Sequence, residues 1–220
     1  MLETALSLTI LGSAVLVALA AIDWRQCLQN AALFGLFLSI LFIDNLIIVG
    51  VNQYPALQFI PNGHWGTILL TWSGKLVSIL VCLAIAFLIR PVISLDQLGL
   101  RLRQKAGSLG PALAALALVS AAAAWIGSGW EKGPFSLTVL AYMAIMPGLN
   151  EELVYRGLLL GILDKISPAQ WRFLGARIGW GMWITALLFG LLHGFWVDSA
   201  FALHFQWFPV AFSSVTGFVF

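Results

Sequence analysis

The sequence predicts an all-α fold, a polytopic bundle of about seven membrane helices. Three observations lead there. The 220 residues are 61% hydrophobic and only 9% charged, with a mean hydropathy of +0.98, far outside the balance of soluble domains. Apolar stretches recur at 4–22, 31–51, 66–89, 111–126, 135–163, 179–197 and 200–220. Each approaches the 20 or so helical residues that cross a hydrocarbon core of roughly 30 Å. The scarce basic residues gather in alternate connections. No barrel-like alternation is visible, and helices satisfy every backbone amide within their own segment, so helices are the expected spanning element.

The first stretch is too long for a signal-peptide core and has neither a basic leader nor a small-residue cleavage site, so it is expected to stay as a helix. Arg25 follows it. Arg90, Arg101, Arg103 and Lys105 share the connection 90–110, and Lys165, Arg172 and Arg177 share 164–178. The intervening loops, 52–65 and 127–134, carry one basic residue, Lys132, balanced by Glu131. The positive-inside rule puts the three basic connections in the cytoplasm and the start of the chain outside. The expected location is therefore an integral, multi-pass protein of a plasma membrane, or of an inner membrane if the host is prokaryotic. Trp24, Trp65, Trp130 and Trp171 fall near the span ends, as interfacial aromatics do.

The bilayer is one expected partner. A net charge of +2 is too small to point to nucleic acid. Cys27 and Cys82 lie in a cytoplasmic connection and inside a span, which implies no disulfide framework. The stretch 90–110 reads as a topology-setting loop, with a short amphipathic helix on the inner leaflet as the alternative. His64, beside Asn62 and Gly63, reads as a solvated loop residue. Asp44 and Asn45 lie roughly 20 Å along the second helix. They either line the same cavity as the polar cluster described below or pair with a neighbouring helix, and the favoured reading is the structural one, with Lys75 on the third as the partner of Asp44.

The densest polar cluster is "NEELVYRG", residues 150–157, inside the fifth stretch. A carboxylate at mid-bilayer depth costs on the order of 3 kcal/mol on insertion scales, so it is expected to face a cavity or a partner. Glu151 lies roughly 18 Å from the basic connection that follows its helix, and His193 on the next helix lies roughly 21 Å from the same side. Glu152 and Arg156 are four apart in the order that favours a helical ion pair. Glu151 is turned about 100° away from Glu152, which leaves its carboxylate for other work. Gly157 and Gly161, with Gly190 and Gly194 around His193, predict close packing of the two helices. Phe189 shares the His193 face. A cavity between the fifth and sixth spans, open to the cytoplasm, follows.

Two chemistries suit that cavity. Glu151 takes a proton from water while His193 positions the water or stabilises an oxyanion. Alternatively Glu151 and His193 ligate zinc, although a catalytic site usually needs three protein ligands and no His-Glu-x-x-His sequence is present.

Glu-Glu-x-x-x-Arg at Glu151, Glu152 and Arg156, followed on the next helix by Phe-x-x-x-His at Phe189 and His193, resembles the CAAX-protease and bacteriocin-processing (CPBP, or Abi) family of intramembrane proteases. That family includes endopeptidases that remove the last three residues of prenylated proteins. The resemblance covers roughly 147–220 and implies a CAAX prenyl endopeptidase-like hydrolase. Glu151 would activate water with His193 beside it, Glu152 and Arg156 would orient the site, and Phe189, Tyr155 and Asn150 would line the substrate cavity. The substrate partner implied is a membrane protein or peptide.

The family is commonly labelled metalloprotease, which makes zinc an implied cofactor with Glu151 and His193 as candidate ligands. A metal-free glutamate site is the other reading. The family pattern continues with a second His followed four residues on by Asn or Asp, and the sequence reaches Phe220 first. The expected organisation is one transmembrane domain over 1–220, with N-terminal helices in 1–134 and a partial catalytic core in 135–220 that native sequence beyond Phe220 would complete. His204, the other downstream histidine, is expected near the outer end of the last span. A non-catalytic scaffold or immunity-type protein and a proton-coupled transporter are the competing functions. The absence of recognisable inverted repeats counts against the transporter.

Overall fold

The computed structural model describes residues 2–65, 68–100, 107, 109–114, 117–118, 121, 136–168, 170–173 and 176–219. Arg101, Arg103, Lys105, Trp130, Glu131, Lys132 and most of the expected span 111–126 lie outside the described residues. Those of 109–121 that are described are helical.

The helices α1 (Leu2–Gln29), α2 (Ala31–Gln53) and α3 (Trp72–Ile89) are each long and apolar enough to cross a membrane. α1 breaks at Asp23, whose φ of −156° and ψ of 89° are not helical. The Asp23 carboxylate accepts a hydrogen bond from the Gln26 amide at 3.1 Å and so caps the short continuation to Gln29. The expected end of the span at residue 22 falls at this kink.

α3 starts at Trp72 rather than at residue 66, because a small antiparallel hairpin, β1 (Gly63–Trp65) with β2 (Ile68–Leu70), occupies the approach. The Ser73 hydroxyl accepts from the Ile60 amide at 2.8 Å and donates to the Ile60 carbonyl at 2.9 Å, pinning that loop to the head of α3.

A single rod follows, built of α4 (Leu137–Glu151), a π-helical stretch (Glu152–Leu159) and α5 (Leu160–Ile166). The Ser136 hydroxyl caps its start, accepting from the Val139 amide at 3.2 Å. Pro147 withdraws one amide from the helical ladder just upstream of the wider turns. The sequence Glu-Leu-Val-Tyr-Arg-Gly, read above with α-helical angles, therefore sits on a helix with i→i+5 bonding.

A second hairpin, β3 (Trp171–Phe173) with β4 (Ala176–Ile178), leads to α6 (Trp180–Gly194). A third, β5 (Phe195–Val197) with β6 (Leu203–Phe205), joins α6 to α7 (Trp207–Val219). The helix expected from residue 200 thus begins at Trp207. The turn is set by Asp198, whose carboxylate accepts from the Ala200 and Ala202 amides, both at 2.9 Å.

α2 and α3 pack antiparallel, with Gly74 so close to Ile48 that a Cβ there would lie 3.1 Å from its carbonyl oxygen. α3 and the rod run parallel. Thr71 Oγ1 and the Tyr142 hydroxyl share a hydrogen bond of 3.0 Å at one end, and Trp72 meets the Tyr142 ring edge-on at 5.2 Å. The interior where α1, α2, α3 and the rod meet is filled by residues such as Leu8, Phe37, Leu41, Val154, Leu158 and Ile162, all buried.

The segment after α3 folds back into the bundle. Ile93 and Leu98 are buried, and Gly99 turns the chain at a φ of +70°, a conformation costly for any residue with a Cβ. Leu98 seats against the rod at Gly157 and Gly161, where Cβ atoms would lie 3.1 Å from its carbonyl oxygen and 2.8 Å from its side chain. Gly190 and Gly194 instead receive α7, where Cβ atoms would lie 2.4 Å from the Val210 carbonyl oxygen and 2.6 Å from that of Gln206. The two glycine pairs, expected to face each other, serve different neighbours. Each creates backbone-close packing against whichever segment the topology delivers.

Candidate active site

Glu151 ends α4, one residue before the π-helical stretch. Its Oε1 pairs with Lys75 Nζ of α3 at 3.0 Å, and both side chains are mostly buried, at 27% and 13% exposure. Lys75 therefore answers Glu151, not Asp44 as the sequence suggested. By the helical rise it lies about 21 Å from the end of α3, a depth similar to that inferred for Glu151.

Asp44 is 2% exposed and solves its burial without a direct cation pair. Its Oδ1 accepts from the Ser78 hydroxyl and, at 3.1 Å, from the Asn150 amide, which also donates to Ser78 Oγ at 3.2 Å. Asn150, assigned above to the substrate cavity, is itself 2% exposed and its amide is engaged in this network. An unpaired carboxylate there would cost several kcal/mol, so the three residues tie α2, α3 and the rod together.

Glu152 follows a different logic. It is 55% exposed on its side chain and pairs along its own helix with Arg156 at 3.1 Å, the i,i+4 pairing read from the sequence. Arg156 Nη2 also donates to the Thr216 and Gly217 carbonyls of α7, at 3.2 and 3.3 Å. These are free acceptors at a helix C-terminus, a favourable place for a cation.

The buried Tyr155 ring meets Phe189 of α6 edge-on at 5.3 Å, and Phe189 lies 4.5 Å from the His193 ring. His193 Nδ1 is 2.8 Å from the Phe189 carbonyl oxygen. A carbonyl only accepts, so Nδ1 carries the hydrogen and, in the neutral ring, Nε2 offers its lone pair. Among the described residues Glu151 and His193 share no hydrogen bond; the aromatic contact of Tyr155 with Phe189 links the helices that carry them.

A cavity of about 310 Å³ lies beside Glu152 and Arg156. Its walls are Ile79 and Leu83 of α3, the returning Leu98–Leu100 turn, and Leu149 and Leu153 of the rod. This cavity lies on the α3 side of the rod, whereas α7 packs onto α6 at Gly190 and Gly194.

Glu151 and His193 are two donors where a catalytic zinc usually takes three protein ligands. Among the described residues no group of three His, Cys, Asp or Glu side chains converges on a metal position, and the Lys75 ammonium sits on the Glu151 carboxylate. These residues do not fit a zinc site. His204 lies on β6, stacked on Trp196 with ring centres 5.1 Å apart and bonded to Asp198 at 2.7 Å, away from the rod. That bond, with those from Ala202 and Ala200, holds the Asp198 carboxyl below its usual range.

The residues missed from sequence are Ser78 and Leu98, together with the true partner of Lys75. Matching the depth of Lys75 to that of Glu151 was the available signal.

No curated protein and no solved structure matches the chain significantly. A family model, described as type II CAAX prenyl endopeptidase Rce1-like, matches residues 133–220. The paired glutamates, Arg156, Phe189 and His193 all fall within that match, and this segment of the chain is similar to the prenyl endopeptidases the model describes.

Proposed function

We propose that the chain carries the hydrolytic centre of an intramembrane endopeptidase acting on a membrane-associated protein, lipidated or with an apolar C-terminal segment. The observation that carries this reading is the position of Glu151: inside the matched segment, largely withdrawn from water, and supplied with a countercharge from another helix rather than from Arg156.

In the proposed reaction the Glu151 carboxylate takes a proton from water, and the water oxygen attacks the scissile carbonyl carbon. As the tetrahedral intermediate collapses, the carbon–nitrogen bond breaks and the proton passes to the leaving amine. His193, with Nδ1–H committed to Phe189, presents Nε2 to accept a hydrogen bond from that water. The apolar cavity walled by Glu152 and Arg156 fits a hydrophobic part of the substrate. Glu152 and Arg156 orient the site by fastening α7 to the rod.

The test uses full-length protein in lipid vesicles and a fluorogenic peptide bearing an S-farnesyl cysteine and three further residues. Glu151→Gln and His193→Ala should each lower cleavage by about 10²–10⁴-fold, with insertion unchanged. Cleavage retained in both variants refutes the assignment. A chelator should leave the rate intact; its loss on chelation and return with added zinc would favour a metalloprotease.

A further inference from the structure

We infer that Lys75, on a helix outside the segment matched by the family model, is a positioning residue for Glu151. The inference rests on the proposed role of Glu151 and adds to it a contribution from the N-terminal helices.

α3 holds two successive residues of the rod. Lys75 takes Glu151 at 3.0 Å, and Ser78, one helical turn further along, takes Asn150 at 3.2 Å, with Asp44 of α2 closing the second contact. One clamp alone would let the rod rotate about it. Two clamps a turn apart on α3, gripping neighbouring residues, fix both rotation and axial register.

The place where this matters is the boundary at Glu151. The next eight residues, Glu152–Leu159, are π-helical, with wider turns than the α-helix that precedes them. A carboxylate at such a junction is not aimed by its own helix alone. The ammonium, 13% exposed and 3.0 Å away, fixes the direction of Oε1 and supplies the countercharge its burial demands. Glu152, which has Arg156 four residues on, needs no such help from α3.

The test uses the same full-length protein, vesicles and farnesylated peptide, with Glu151→Gln measured alongside. Lys75→Met should lower kcat by about 10²-fold, the size of one lost electrostatic donor, with KM within about threefold. Lys75→Arg should recover most of that loss, which a purely structural lysine would not require. If Glu151→Gln is inactive while Lys75→Met matches the parent protein, the positioning role is overturned and the proposed function stands. An active Glu151→Gln overturns the function itself. Should Lys75→Met fail to fold, Lys75→Cys aminoethylated in the vesicle decides: activity regained with the ammonium supports the role, and folded protein that stays inactive overturns it.

Discussion

The rod from Leu137 to Ile166 has two sides that solve the same problem, polar residues among apolar helices, in opposite ways. Toward α2 and α3 it is charged and networked: Lys75 with Glu151, and Asp44 with Ser78 and Asn150. Toward α6 and α7 it is aromatic and close-packed: Tyr155 on Phe189, with α7 pressed onto Gly190 and Gly194 and fastened by Arg156 to the last carbonyls. Adjacent residues belong to different regimes. Glu151 is held across helices and mostly buried; Glu152 is held within its own helix and mostly exposed. The difference shows that a family motif confined to 133–220 depends on helices outside it for the surroundings of its first glutamate.

The comparison can be broken most severely on the networked side. Asn150→Leu removes one of two donors from a buried carboxylate and should cost about 3 kcal/mol, read as a drop in the unfolding midpoint in lipid nanodiscs. The close-packed side should respond nearly as strongly. Gly190→Ala places a Cβ 2.4 Å from the Val210 carbonyl oxygen and should cost about 2 kcal/mol, with cross-linking between Cys pairs on α6 and α7 reporting their separation.

Glu152→Gln sharpens the contrast between the neighbours. The lost i,i+4 pair is worth about 0.3–0.5 kcal/mol, so stability should barely change and cleavage should fall by much less than for Glu151→Gln.

The smallest effect should come from the hairpin beyond α6. Asp198 has a folded-state pKa below its unfolded value, so its contribution is complete above the ordinary carboxylate range and fades as pH falls through the depressed value. Asp198→Ala should therefore change the unfolding midpoint slightly at neutral pH and not at all in strong acid.

Much was legible because lipid imposes simple rules. α1, α2 and α3 follow from runs of apolar residues, and the kink at Asp23 falls where the first run ends. The i,i+4 pairing of Glu152 with Arg156 was readable because it is local. The hairpin before α3 was not readable, since Ile68-Leu69-Leu70 is as apolar as the helix it leads into, and hydropathy does not separate strand from helix over three residues.

The residue order by itself determined a lipid-embedded helical chain and the motif that marks its chemistry, because hydrophobicity and spacing along one helix are properties of the linear chain. Only the tertiary structure decided that Lys75 belongs to Glu151, that Ser78 and Asn150 satisfy Asp44, and that Leu98 rather than α6 fills the notch at Gly157 and Gly161. Those choices depend on which helices become neighbours and at what rotation, and a buried charge takes whichever partner that packing places within a few ångströms.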